Sequence, residues 1–133
     1  MFLNQLSENE KNAFISLSVH ASKANGVFAD EEKDIIQEYC REMGIAFFDA
    51  DTAIPMEEII SVFKESETKI KRIVLLEILG LVYSDGEYDD SEKGFVREFT
   101  EKIGLKEEDL NKQTIAIKEY LEALKKVTVA IVD

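Results

Sequence analysis

Apolar residues recur at three- and four-residue spacing along most of the chain, and the polar interruptions between those stretches divide it into six predicted helices. Ser7-Glu8-Asn9-Glu10 has the capping-box form, in which the Ser7 hydroxyl takes the Glu10 amide and the Glu10 carboxylate returns to Ser7. A first helix is predicted over 8–25, with Phe14, Ile15, Leu17, Val19, Ala21 and Ala24 on its apolar side and Asn25-Gly26 as a left-handed stop. Asp30 is placed to cap a second helix, in which Ile35, Ile36, Tyr39, Cys40 and Met43 recur before Gly44, with Ile45 packing back. The stretch 46–54 is irregular. Pro55 suits the first turn of a shorter third helix with Met56, Ile59, Ile60 and Phe63 inward, ending near Glu65.

A fourth helix is predicted over 68–84, where between Ile73 and Tyr83 the one charged residue is Glu77 and the one residue without a side chain is Gly80. A helix apolar nearly all round is surrounded by protein, so this one reads as the central strut. A fifth begins near Asp90 with Phe95, Val96, Phe99 and Ile103 inward, and closes on Gly104-Leu105. A sixth covers 107–126 through Leu110, Ile115, Ile117, Tyr120, Leu121 and Leu124, either continuous or broken at Gln113-Thr114. The β-branched stretch 127–132 is either a helix end packed on the core or a short extended tail, with a dimer contact as a further reading.

The same design occurs twice. Aligning Asn25 with Asp85 gives an offset of 60 residues that holds without a gap from Ile15/Leu75 to Ile45/Leu105. Gly26 then meets Gly86, Asp30 meets Asp90, Glu32 meets Glu92, Tyr39 meets Phe99 and Gly44 meets Gly104; one inserted residue brings Glu58-Ile59-Ile60 onto Glu119-Tyr120-Leu121. Two copies are few for an open array. The expected fold is an all-α, compact, pseudo-symmetric bundle of six to seven helices, a single domain over 1–133 whose three-helix units span 7–65 and 67–126.

Composition narrows the partners. With 16 basic and 28 acidic residues the net charge is −12, a field that repels phosphate backbones and favours cations or basic protein partners, so nucleic acid is not expected. The single cysteine, Cys40, cannot form an intrachain disulfide. No stretch has the form of a signal peptide or a membrane span, and the expected location is the cytoplasm, as a monomer or weak homodimer.

Charge concentrates at Ser84-Asp85-Gly86-Glu87-Tyr88-Asp89-Asp90-Ser91-Glu92, with five carboxylates in nine residues, and at its paler copy, Ala24 to Glu32. Asp85-Gly86, five residues and then Glu92 reproduce the second half of a Ca²⁺-binding EF-hand loop, but Leu81 and Tyr83 occupy the positions of its first two oxygens, so a true EF-hand is excluded. A divalent cation such as Ca²⁺ or Mg²⁺ has candidate ligands in Asp85, Glu87, Asp89 and Glu92, with Glu32 from the first turn. Capping accounts for much of the same pattern: Gly86 as the helix stop, Asp89 as N-cap and Glu92 as its N3 partner. Glu87 and Asp90 are left over by that account.

These paired turns, each leading to a helix that ends Gly44-Ile45 or Gly104-Leu105, resemble the tellurite-resistance TerB family over nearly the whole chain. The resemblance implies two related helical halves, a cytoplasmic stress-associated protein and a divalent-cation site at the acidic turns. The family's Asp-Gly and downstream Glu fall on Asp85, Gly86 and Glu92, and on Gly26 and Glu32; Asn25 and Ala29 depart from it where Asp is more typical.

Catalytic spacing is absent. His20 is the single histidine and reads as a structural side chain, Cys40 as a buried thiol, and no arrangement supports a Ser/His/Asp triad, so no enzyme is expected. Glu77 reads first as the solvent-touching stripe of its helix and second as a half-buried carboxylate with a raised pKa. Lys69, Lys71 and Arg72 read as solvated counter-charges. The leading expectation is a non-enzymatic cation binder, and the alternative is a protein-interaction module whose acidic turns serve as caps.

Overall fold

A computed structural model describes residues 1–24, 30–46, 48–83 and 89–132, and among these it is all-helical. Six α-helices follow in order: α1 Glu8–Lys23, α2 Asp30–Met43, α3 Met56–Lys64, α4 Thr68–Tyr83, α5 Asp90–Lys102 and α6 Glu107–Val132. Short 3₁₀ turns stand at Leu3–Gln5 and Ala50–Thr52.

The helix boundaries follow from local chemistry. At α1 the Ser7 hydroxyl accepts from the Glu10 amide at 3.3 Å, and the Ser7 amide donates to the Glu10 carboxylate at 2.9 Å, so two orphan amides are satisfied together. Both medium helices close with a Schellman turn. Ile45 N–H reaches the Cys40 carbonyl and Gly44 N–H the Arg41 carbonyl; Leu105 and Gly104 repeat this on Thr100 and Glu101. Gly44 and Gly104 sit at φ +75° and +91°, a region that a side chain would strain.

Three expected boundaries move by a residue or two. Helix α1 ends at Lys23 with Ala24 as its cap residue, and Asn25-Gly26 lies outside the described residues. Asp30 is the first helical residue of α2, paired with Lys33 at 3.7 Å. Pro55 is the N-cap of α3, its extended ψ of 152° placing it just outside the helix. The sixth helix takes the continuous one of its two expected forms. It is unbroken at Gln113-Thr114, where the Thr114 hydroxyl donates back to the Leu110 carbonyl at 2.7 Å, and it continues through 127–132.

Helices α1 and α4 have the same length and lie 60 residues apart; they pack on each other and join the halves. In each half the third helix lies against the first, α3 on α1 and α6 on α4. The residues that α4 buries, Val74, Leu75, Ile78 and Leu79 among them, meet Phe14, Ile15 and Leu17 of α1 in one core cluster. Phe63 and Phe99 cross edge to face at 6.2 Å between centroids, tying α3 to α5.

The third helices correspond in place but not in the register expected from one inserted residue. Ile59 is fully buried, whereas Tyr120, its expected counterpart, is 44% exposed. The physical reason is the connection: a loop with its own 3₁₀ turn separates Gly44 from α3, while α6 starts three residues after Gly104.

Candidate functional site

The N-terminus of α5 gives the acidic turn its ordered edge. Asp89, in extended backbone, accepts from the Glu92 amide at 2.8 Å, and Glu92 accepts from the Asp89 amide at 3.4 Å. The capping box read from the sequence is therefore present. Asp90 is exposed in the first turn, where the helix dipole favours an acid.

Glu92 is 1% exposed, and Glu32, at the equivalent point of the first half, is 2% exposed. A carboxylate is costly to remove from water unless it is paired, hydrogen-bonded or bound to metal. That both copies bury this glutamate is the feature of the turns that capping alone does not require. Asp85 and Glu87 lie outside the described residues, as do the turns 25–29 and 84–88 as a whole. Of the five proposed ligands the structure therefore describes Asp89, Glu92 and Glu32. Among the described residues no three His, Cys, Asp or Glu side chains converge as a metal cluster.

A second acidic group was not legible as such from the sequence. Glu77 is 2% exposed, so of its two readings the solvent-touching stripe is corrected and the buried carboxylate is the one the structure has: the group is inside the protein. The α-amino group of Met1 donates to Glu77 Oε2 at 3.1 Å and to Glu42 Oε1 at 2.9 Å, and the Leu3 amide donates to Glu42 Oε2 at 2.8 Å. Tyr39 donates its hydroxyl to the Glu77 backbone carbonyl at 3.0 Å. This network fastens the 3₁₀ turn Leu3–Gln5 to α2 and α4.

Burial raises the pKa of Glu77, and the neighbouring ammonium pulls it back only in part. Burial lowers the pKa of the Met1 amine, but the bonds to Glu42 and Glu77 outweigh this and the net direction is up. Burial, then the charges of Glu77 and Glu42, raise the pKa of Tyr39. The repeat held the signal that was missed, since an offset of 60 places Glu77 on Leu17, which is fully buried.

The nucleophile and base candidates sit in structural roles. A His20 ring nitrogen lies 2.8 Å from the Ile54 carbonyl. Cys40 is 1% exposed, and burial pushes its thiol pKa up, away from the thiolate that reactivity needs.

No curated protein and no solved structure matches the chain. A family model described as "Tellurite resistance protein TerB" matches residues 46–114, from the loop before α3 into α6, and takes in the whole second acidic turn. That match covers more than half of the 133 residues, on a helical fold whose halves repeat the same turns, and the chain belongs to the TerB family of tellurite resistance proteins.

Proposed function

We propose that this TerB-like protein is a non-enzymatic, stress-associated cytoplasmic protein that binds a divalent cation at the acidic turn leading into α5. The observation that carries the reading is the burial of Glu32 and Glu92 at equivalent points, 2% and 1% exposed, Glu92 just beyond the acidic turn 84–88 and Glu32 beyond its uncharged counterpart 25–29. Buried carboxylate oxygens beside further acids are the ligand type that hard cations take. Asp85, Glu87, Asp89 and Glu92 are the proposed ligands, with Glu32 serving the first turn. The net charge of −12 raises the local concentration of cations. The structural roles of His20 and Cys40 favour binding over catalysis.

The test is a titration with Ca²⁺, Mg²⁺, Mn²⁺ and Zn²⁺ followed through backbone amide NMR shifts. Saturable shifts centred on 84–92 are expected, and Asp85→Asn with Glu92→Gln should weaken the apparent affinity at least about tenfold, as loss of charged ligands from a carboxylate site does. Diffuse shifts over all acidic surfaces would sink the proposal.

A second reading, a protein-interaction module, is favoured by one observation. The C-terminal half of α6 exposes Leu124, Val127, Val129, Ile131 and Val132 to solvent. Concentration-dependent sedimentation of the intact chain and of a variant made polar on that face tests it.

A further inference from the structure

Four cations of this strongly acidic chain line a single groove. It measures about 640 Å³ and lies between the first half of α4, the Gly104 turn and the start of α6. Lys71 and Arg72 come from α4, Lys106 from the turn and Lys112 from α6; Glu108 and Asp109 are the acids among them. Leu76, Leu105 and Ala116 give the groove an apolar side, and a shallower hollow with Lys69 continues it through Arg72 and Gln113.

Asp109 is occupied by its surroundings. Its carboxylate accepts from the Lys106 amide at 3.1 Å and from Arg72 Nε at 3.1 Å, and the Lys106 bond above all holds its pKa below the ordinary carboxylate value. It thus positions the guanidinium. Lys71 and Lys112 make no ion pair among the described residues, and Lys106 makes none at contact distance although its charge acts on Asp109. Lys71 Nζ would lie 3.5 Å from a Cβ built on Gly104, so the absence of a side chain there leaves the ammonium room at the turn. Gln113 donates its amide to the Arg72 carbonyl at 2.9 Å, and its Oε1 is buried with no partner among the described residues.

The first half shows that the fold does not demand this charge. At the offset of 60, Lys71 corresponds to Lys11, which pairs with Glu8 at 3.4 Å, but Thr68 stands where Glu8 would be. Arg72 replaces Asn12 and Lys106 replaces Ala46. Around a groove of ligand size the second half has lost the acid that pairs with the lysine and added Arg72 and Lys106, while Glu108 is gained where the first half has Phe48.

We infer that this groove binds a small phosphorylated molecule: the ammonium groups of Lys71, Lys106 and Lys112 and the Arg72 guanidinium meet the phosphate, and the apolar side formed by Leu76, Leu105 and Ala116 receives the ligand body. A dianion matches several unpaired cations, and a bidentate guanidinium adds direction. The site is separate from the acidic turn at Asp89 and Glu92 and does not depend on a cation there.

The experiment is a titration of the full chain at low ionic strength with inorganic phosphate, glycerol 3-phosphate and citrate, read by amide NMR shifts and calorimetry. Saturable shifts are expected over 68–76 and 104–116, with glycerol 3-phosphate binding more tightly than phosphate and citrate weakest. Lys71→Gln with Lys112→Gln should reduce glycerol 3-phosphate affinity at least about tenfold, since two charge-assisted contacts are lost. Both lysines point to solvent or are half-buried, and an unchanged circular dichroism spectrum and Tm confirm that the variant folds. Affinity unchanged in the folded variant, or citrate preferred to both phosphates, overturns the inference.

Discussion

Glu77 carries a carboxylate into the core of α4, and the group that meets it there is the Met1 ammonium, itself held by Glu42. The energetics of this cluster run against the usual surface ion pair. A carboxyl whose pKa is raised by burial is better accommodated protonated, so the fold weakens as pH climbs from the ordinary value of 4.5 through the raised one. The amine adds a second window. Its pKa is raised above 8.0, so the stability its pairs contribute is fully present below pH 8 and is lost as pH rises through the folded value. Glu10 and Asp109 act oppositely: their lowered pKa values contribute stability above 4.5 and 3.8, lost as pH falls through the folded values. The expected outcome is that Glu77→Gln gains on the parent protein in urea unfolding as pH increases above 4.5, because its amide does not ionise. Stability curves that stay parallel between pH 4.5 and 7 would contradict the buried-carboxylate account.

Among the elements, the paired Schellman turns are where sequence and structure agree most closely. Gly44 and Gly104 each follow a helix at positive φ and let two amides reach back to the last carbonyls. A side chain at such a φ costs roughly 1–2 kcal/mol. Gly44→Ala and Gly104→Ala are therefore each expected to cost about that much in urea unfolding. The contact at Gly104 does not add to it, since the nearest atom, Lys71 Nζ at 3.5 Å, is at ordinary distance and at the end of a flexible side chain. Equal costs at the two sites would support equivalent turns; no loss at either would contradict the strain argument. These turns were legible because glycine, the capping acids and the apolar spacing act within a few residues of each other. The Asp89–Glu92 box was readable for the same reason. Burial of Glu77 and Glu32, the meeting of Glu42 with Met1, and the convergence of Lys71 with Lys106 and Lys112 depend on residues far apart in the chain. Sequence spacing carried no direct trace of them, although the repeat aligned Glu77 with buried Leu17. The β-branched stretch 127–132 leaves helix end and extended tail both open in the sequence because its propensity favours strands, and in the structure the preceding helix propagates through it.

For the whole molecule, the two halves share a frame and differ in what they present. The first half ends in the short α3, packed on α1; the second ends in α6, which runs parallel to α4 as the pairs Arg72–Asp109, Gly80–Ile117 and Tyr83–Lys118 succeed one another. The last described residue of helix α4 is Tyr83, and α6 continues from Ile117 to Val132, a length of roughly 20 Å at the helical rise. Along that length Ile117, Tyr120, Leu124, Val127 and Ile131 alternate at three and four residues, continuing the stripe that Leu110 and Ile117 bury against the core. This is the spacing with which one helix packs along another. The stripe also lies where Lys118, Lys125 and Lys126 offset Glu119 and Glu122, so an approaching acidic protein meets less repulsion there than the net charge of −12 alone would give. Leu124→Gln with Ile131→Gln removes apolar surface that is already 47% and 80% exposed, so stability is expected to change by no more than about 0.5 kcal/mol per site. If the stripe is an interface, the same variant should lose any concentration-dependent rise in sedimentation coefficient that the parent shows and should bind less of an apolar fluorescent dye. A stability loss of several kcal/mol would instead place these side chains in the chain's own core, and association that persists in the folded variant would move the interface elsewhere.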